Sequence, residues 1–280
     1  MRTELIAFPA PEPSSPQSSV LGPQSSPAAA VQVEGVRKVY RARGAETVAL
    51  EQVSFTVARG EFITVVGRSG CGKTTLLKVI AGLLPASAGS VAVEGQPVRG
   101  PRPDIGLVFQ TPVLPKWRTV LDNVLLPAEI LRLDRRRARA QALDLIKLVG
   151  LEGFEEKYPR ELSGGMQQRV SLCRALIHNP PLLLMDEPFG ALDALTREEM
   201  NLELLRIWQE QAKTSVLITH SISEAIFLGD RVLVMTPRPG RLEDIVQVAL
   251  PRPRTPAMKL TPEFNALVRR ISEKIGLKYD

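Results

Sequence analysis

No apolar run in this chain approaches the ~18 residues needed to cross a bilayer, so any membrane association has to come through a partner or a surface. Cysteine is nearly absent. Cys71 and Cys173 are the only two, form no metal-ligand cluster and imply no disulfide framework. The opening stretch MRTELIAFPAPEP lacks the continuous apolar centre of a secretory signal and is broken by Pro9 and Pro11, which points to a cytoplasmic protein. No internal repeat is found, and aromatic residues are few, at 5%.

What is present fits a soluble globular protein. The 280 residues suffice for one or two domains with a full core, and 44% of them are hydrophobic. The net charge of +6 is compatible with an anionic ligand, acidic lipid head groups or nucleic acid, and does not choose among them.

Residues 1 to 30, rich in Pro, Ser and Ala from residue 9 onward, read as a disordered tail. From Val31 the pattern changes. VQVEGVRKVY predicts a strand, TVALEQVSFTVARGEF two short strands around turns, and EFITVVG a buried strand ending at Gly67. VAVEG and DIGLVFQ follow as further strands. Between about 111 and 165 the character becomes helical, with Thr119 and Asp122 as a variant capping box. Helices at 165–177, 194–212 and 221–229 then alternate with strands PLLLMDEP, TSVLITH and DRVLVMT. This alternation predicts an α/β fold with a mainly parallel sheet. Prolines from Pro237 to Pro256 mark a looser C-terminal extension, residues 241–280, ending in a helix near 262–276.

GRSGCGKT at 67–74 has the spacing G-x-x-x-x-G-K-[ST] between a strand and an apolar helix. Glycines let backbone N–H groups turn around phosphate oxygens, and the helix terminus adds its dipole. Lys73 would reach the β and γ phosphates and the Thr74 hydroxyl would meet Mg²⁺. The bland alternative is a tight turn with an exposed lysine. Cys71 reads as an incidental small residue of the loop. LLLMDEP ends a hydrophobic strand in Asp186 and Glu187, and strand ends of an open α/β sheet gather ligands. Asp186 suits Mg²⁺, and Glu187 suits polarising a water. Alternatively, the Asp-Glu-Pro run only closes a strand. His220 ends SVLITH and could sense a γ phosphate; His178 reads as closing a helix.

LSGGMQQR at 162–169 offers a second anion grip through Ser163, Gly164 and Gly165 at a helix start, where an ordinary serine cap is the alternative. Two chains about a two-fold axis would resolve the redundancy, each giving this segment to the nucleotide on its mate.

These motifs, in this order over about residues 31–240, resemble the ATP-binding subunit of ABC transporters. GRSGCGKTT resembles the Walker A loop, LSGGMQQR the ABC signature, LLLMDEP the Walker B strand, FGALD the D-loop and THS the switch histidine. The resemblance implies a P-loop ABC ATPase core with an antiparallel β portion and a helical subdomain. It implies ATP contacts at Gly67, Arg68, Ser69, Gly70, Cys71, Gly72, Lys73, Thr74 and Thr75, and at Ser163, Gly164 and Gly165. Tyr40 would stack on adenine, and Gln110 would contact Mg²⁺ and the attacking water. Glu187 would be the base, with His220, Lys73 and Gln110 assisting and Asp186 on the metal. Met166 departs from the glutamine commonest in the signature.

FQTPVLPKWRTVLDNVLLPAEI and FGALDALTREEM are similar to the importer branch for nitrate, aliphatic sulfonates and taurine. That implies an ATP-dependent homodimer on the cytoplasmic face of the membrane, a separate permease dimer and an extracytoplasmic substrate-binding protein. Importers of other small nutrients, exporter components and nucleic-acid ATPases share the nucleotide motifs. The basic run RLDRRRARA is the one feature favouring nucleic acid, and it reads more simply as the solvated face of a helix short of aromatics. No direct nucleic-acid contact is expected.

Overall fold

The computed structural model describes residues 29–42, 45–190, 192–211 and 213–276. Residues 1–28, most of the expected tail, lie outside the described residues. In chain order the strands are β1 (Ala29–Ala42), β2 (Ala45–Ala58), β3 (Phe62–Gly67), β4 (Ala88–Val93), β5 (Gln96–Pro97), β6 (Ile105–Val108), β7 (Leu182–Asp186), β8 (Thr214–Ile218), β9 (Arg231–Met235) and β10 (Leu242–Gln247). The helices are α1 (Lys73–Ile80), α2 (Val120–Ile130), α3 (Arg135–Leu148), α4 (Gly164–Leu176), α5 (Ala194–Gln211), α6 (Ile222–Leu228) and α7 (Pro262–Ile275).

FITVVG, LLLMD and TSVLI are buried at every position, as strands covered on both faces must be. They lie inside a six-stranded sheet of order β10-β9-β3-β8-β7-β6, parallel except for β10. Alternation divides their side chains between two cores. Leu183, Met185 and Leu217 face one that includes residues of α2 to α7; Leu182, Leu184 and Ile218 face one shared with α1 and the strands β1, β2 and β4. The smaller sheet, β2-β1-β4-β5, is antiparallel. The α/β class, the mainly parallel sheet and the antiparallel portion therefore agree with the sequence reading.

Three local expectations are corrected. The strand expected from Val31 starts at Ala29. The two short strands expected between Thr47 and Phe62 divide differently: Ala45–Ala58 is one 14-residue strand, and Phe62 opens β3. Its midpoint resembles a turn because Gln52 has a φ of 52° at a register shift against β1, a bulge within a continuing strand. The third is β10, which lies where the sequence predicts loose chain. It pairs antiparallel with β9, setting Val246 opposite Val232.

In the helical segment Thr119 Oγ1 accepts from Asp122 N at 3.2 Å and starts α2. Asp134 Oδ1 accepts from Arg137 N at 2.8 Å and starts α3. Arg135, Arg136, Arg137 and Arg139 face solvent while Ala138, Ala142, Leu145 and Ile146 are buried, which is the solvated face expected. Beyond β10, the buried Arg254 donates to the carbonyls of Ile226, Phe227 and Gly229 at 2.9, 3.0 and 2.7 Å. It thus satisfies carbonyls that the end of α6 leaves without helical partners.

Candidate functional site

Because β6, β7, β8 and β3 run parallel, their carboxyl ends share one edge of the sheet. The register is close: Ile218 of β8 is level with both Val65 of β3 and Asp186 of β7. The loop after β3 and the carboxylates at the end of β7 are thereby brought together, and a cleft of about 540 Å³ opens there, lined by Glu187 but not by Asp186. Tyr40, Ser69, Gly70, Gly72, Lys73, Thr74, Thr75, Gln110, Glu187 and His220 line it. Residues scattered over 180 positions of sequence meet here.

The loop has the conformation its glycines predict. Gly72 caps α1 at a φ of 104°, and a Cβ there would stand 2.7 Å from the Ala49 carbonyl oxygen, so only glycine fits. Lys73 is buried and its Nζ donates to the carbonyls of Gly67 at 2.8 Å and Arg68 at 3.2 Å. Cys71 is buried in the core beneath the loop, as an incidental small residue would be. The Arg68 side chain turns away from the cleft and donates to the carbonyls of Ile275 and Gly276 at 3.2 and 3.1 Å, at the end of α7. Tyr40 stands on the rim, 40% exposed, with its hydroxyl 3.3 Å from Thr75 Oγ1.

At the acidic end Gln110 Nε2 donates to Glu187 Oε2 at 3.0 Å, and His220 Nδ1 lies 3.4 Å from the same oxygen. Glu187 has a φ of 47°, a left-handed value uncommon for a residue with a Cβ. Burial raises the Asp186 pKa above the usual carboxylate range, opposed by a hydrogen bond with the Thr74 side chain. Asp186 Oδ1 is buried with no hydrogen-bond partner. An unpartnered carboxylate oxygen beside a threonine hydroxyl is a hard oxygen donor set, and it fits Mg²⁺. Among the described residues no group of three or more His, Cys, Asp or Glu side chains could hold a metal alone.

Ser163 caps α4, its Oγ accepting from Met166 N at 3.3 Å, but neither it nor the two glycines lines the cleft. The glycines differ. A Cβ on Gly164 would meet nothing within 4 Å, whereas one on Gly165 would stand 2.5 Å from Leu192 Cδ2. The signature segment is thus closely packed on the D-loop at one glycine and open at the other. Gln168 Nε2 donates to the Phe109 carbonyl at 2.9 Å, joining α4 to the segment that carries Gln110. His178 follows α4, half-buried, with its pKa lowered chiefly by burial, and lines a separate apolar groove. Thr47, Ala49 and Arg238 also line the cleft, and the sequence reading did not include them.

The ABC transporter family model matches residues 50–190. The uncharacterized ABC transporter ATP-binding protein MJ0412 of Methanocaldococcus jannaschii is 49% identical over 224 residues, which cover 80% of this chain and 84% of that protein. The taurine import ATP-binding protein TauB of Rhizobium johnstonii is 47% identical, covering 86% and 94%. The aliphatic sulfonates import ATP-binding protein SsuB of Bacillus cereus is 39% identical, covering 88% and 97%. The dimeric, post-hydrolysis structure of the ATP-binding cassette MJ0796 bound to ADP and Pi matches with a TM-score of 0.72 and 34% identity, over 79% of this chain and 99% of that one. Among the described residues no helix is long and apolar enough to cross a membrane. A phosphate loop level with an acidic strand end, and a serine-capped helix set apart from both, thus occur in a chain that belongs to the ABC transporter family as an ATP-binding ATPase subunit.

Proposed function

We propose that this subunit hydrolyses ATP to drive import of a small solute, an anion such as taurine, another sulfonate or nitrate, through a separate permease. The observation that carries the chemistry is Glu187 Oε2, held by Gln110 and His220 at one end of a cleft whose other end is the phosphate loop. Lys73 is placed to exchange its loop carbonyls for β and γ phosphate oxygens. The Glu187 carboxylate takes a proton from the attacking water, Gln110 orients that water, and His220 contacts the γ phosphate. Gly67, Arg68, Ser69, Gly70, Cys71, Gly72, Thr74 and Thr75 contribute loop contacts, with Arg68 and Cys71 acting through the main chain. Tyr40 stacks on adenine. Thr74, Asp186 and Gln110 would hold Mg²⁺, which when bound neutralises charge on the β and γ phosphates.

Ser163, Gly164 and Gly165 act on the nucleotide of a second copy. Their position outside the cleft supports this, as does the dimeric form of the MJ0796 cassette. An apolar groove of about 410 Å³, lined by Ile105, Phe109, Val113, Pro127 and Ile130, adjoins Gln110 and provides the seat for the permease. Trp117, 78% exposed, lies nearby in sequence. The subunit then sits on the cytoplasmic face of the membrane and a substrate-binding protein supplies the other side. The relatives named for taurine and aliphatic sulfonate import support the anion class.

Two measurements test this. Glu187→Gln should still bind ATP but hydrolyse it at least about a hundredfold more slowly, and form an ATP-dependent dimer that Ser163→Arg abolishes. Normal turnover in Glu187→Gln would place the base elsewhere. Capture of the tagged protein from gently solubilised membranes should recover a multispanning permease in stoichiometric amount; recovery of soluble partners alone would remove the import reading and leave the ATPase.

A further inference from the structure

Arg238 lies on the connection between β9 and β10, in TPRPGR, and lines the cleft without belonging to any of the motifs named above. That connection is fixed on both sides. Gly240 N donates to the Ala49 carbonyl at 3.0 Å, and Glu51 N donates to the Gly240 carbonyl at 2.9 Å, so it is tied to β2. The Thr236 hydroxyl accepts from Arg241 N at 2.9 Å and donates to the Pro239 carbonyl at 3.1 Å, which ties it to itself. It also abuts the phosphate loop, since a Cβ on Gly240 would stand 2.0 Å from the Cys71 carbonyl oxygen.

From this fixed position Arg238 Nη2 donates to the Gly70 carbonyl at 3.2 Å. Gly70 has a φ of 75°, and the N–H on the far side of its peptide, that of Cys71, donates to the Arg68 carbonyl at 3.3 Å. Both ends of the Gly70–Cys71 peptide are therefore held, one of them by Arg238. A guanidinium carries five N–H donors. No carboxylate among the described residues pairs with this one.

We propose that Arg238 is a nucleotide-affinity residue: it clamps the Gly70–Cys71 peptide of the phosphate loop and offers its other donors to the anionic nucleotide in the cleft. The proposal rests on the reading of the cleft as the ATP site. It differs from a purely structural role in the β9–β10 connection, which would affect folding and leave affinity alone.

The test uses the full chain with Arg238→Ala and Arg238→Lys, measuring equilibrium ATP and adenosine binding, steady-state hydrolysis, and thermal unfolding without nucleotide. Arg238→Ala should weaken ATP binding and raise KM for ATP about five- to tenfold, with kcat within about twofold of the parent. Adenosine binding should be nearly unchanged, and Arg238→Lys, which keeps the charge and loses the fork, should recover part of the loss. Equal ATP affinity and KM in parent and both variants would overturn the role of Arg238 while leaving the ATP site standing. A lower melting temperature with unchanged KM would do the same. Failure of the parent itself to bind ATP would overturn the site reading, and this proposal with it.

Discussion

Glu187, whose carboxylate is proposed for catalysis, holds a backbone angle that its own Cβ opposes. A left-handed conformation costs an L residue about 1–2 kcal/mol. Here it is maintained by main-chain bonds on either side: Glu187 N donates to the Ile218 carbonyl at 2.9 Å and Gly190 N donates to the Glu187 carbonyl at 3.2 Å. Glu187→Gly should therefore abolish turnover and yet unfold at a higher temperature than the parent, by roughly 1 kcal/mol of added stability. Thermal unfolding beside an ATPase assay checks it, and a lower melting temperature would show that the bond from Gln110 outweighs the strain. Most of the cleft was legible at this scale because its chemistry is local. Gly67 to Thr75 and Asp186–Glu187 carry their meaning in consecutive residues. Thr47, Ala49 and Arg238 were not legible, since they reach the cleft only through strand pairing and through a turn whose place beside the loop is set by tertiary contacts.

The approach to β8 shows an element anchored by the hydrogen bonds of one buried lysine. Lys213 is 4% exposed, and its Nζ donates to Asn179 Oδ1 at 2.6 Å and to the Pro180 carbonyl at 2.9 Å, joining the α4–β7 connection to the start of β8. Burial lowers its pKa from 10.5 to about 8. Between those two values the unfolded chain keeps a proton that the folded chain has released, so the contribution of Lys213 to stability rises with pH across that window. The melting temperature of the parent, measured against Lys213→Met, should climb from pH 8 to 10.5. A constant difference would mean that Lys213 holds its proton equally in the folded and the unfolded chain. The elements themselves were unevenly legible. β3, β7 and β8 announce themselves as short, mainly apolar runs because both of their faces are covered. β10, LEDIVQ, has one fully buried side chain, Val246, and its remaining burial comes from an edge position that leaves acidic residues in place. Its pairing with β9 decides its structure, and that partner cannot be inferred from six residues among prolines.

Across the whole molecule, the segment after β10 is packed into the core that also takes residues of α2 to α6. Phe264 and Ile271 of α7 are buried with Phe227, Leu228 and Val232, and Lys259 lies over the Phe227 ring at 4.3 Å. Phe264→Ala should cost about 3–5 kcal/mol, the range for emptying a buried aromatic position. Urea unfolding that showed less than about 1 kcal/mol would mean that α7 is only loosely attached. The sequence reading placed a terminal helix near 262–276, and the reason for its presence lies outside its own residues. That reason is tertiary and includes Arg68, whose guanidinium joins the phosphate loop to the carbonyls of Ile275 and Gly276. The bond spans 207 residues. During synthesis the phosphate loop leaves the ribosome 207 residues before Ile275, at the helix end that holds its arginine. A nascent chain stalled before Ile275 would carry the complete set of nucleotide motifs with the Arg68 side chain still lacking these two carbonyls, so this contact of the loop is completed in time by residues that no nucleotide motif contains.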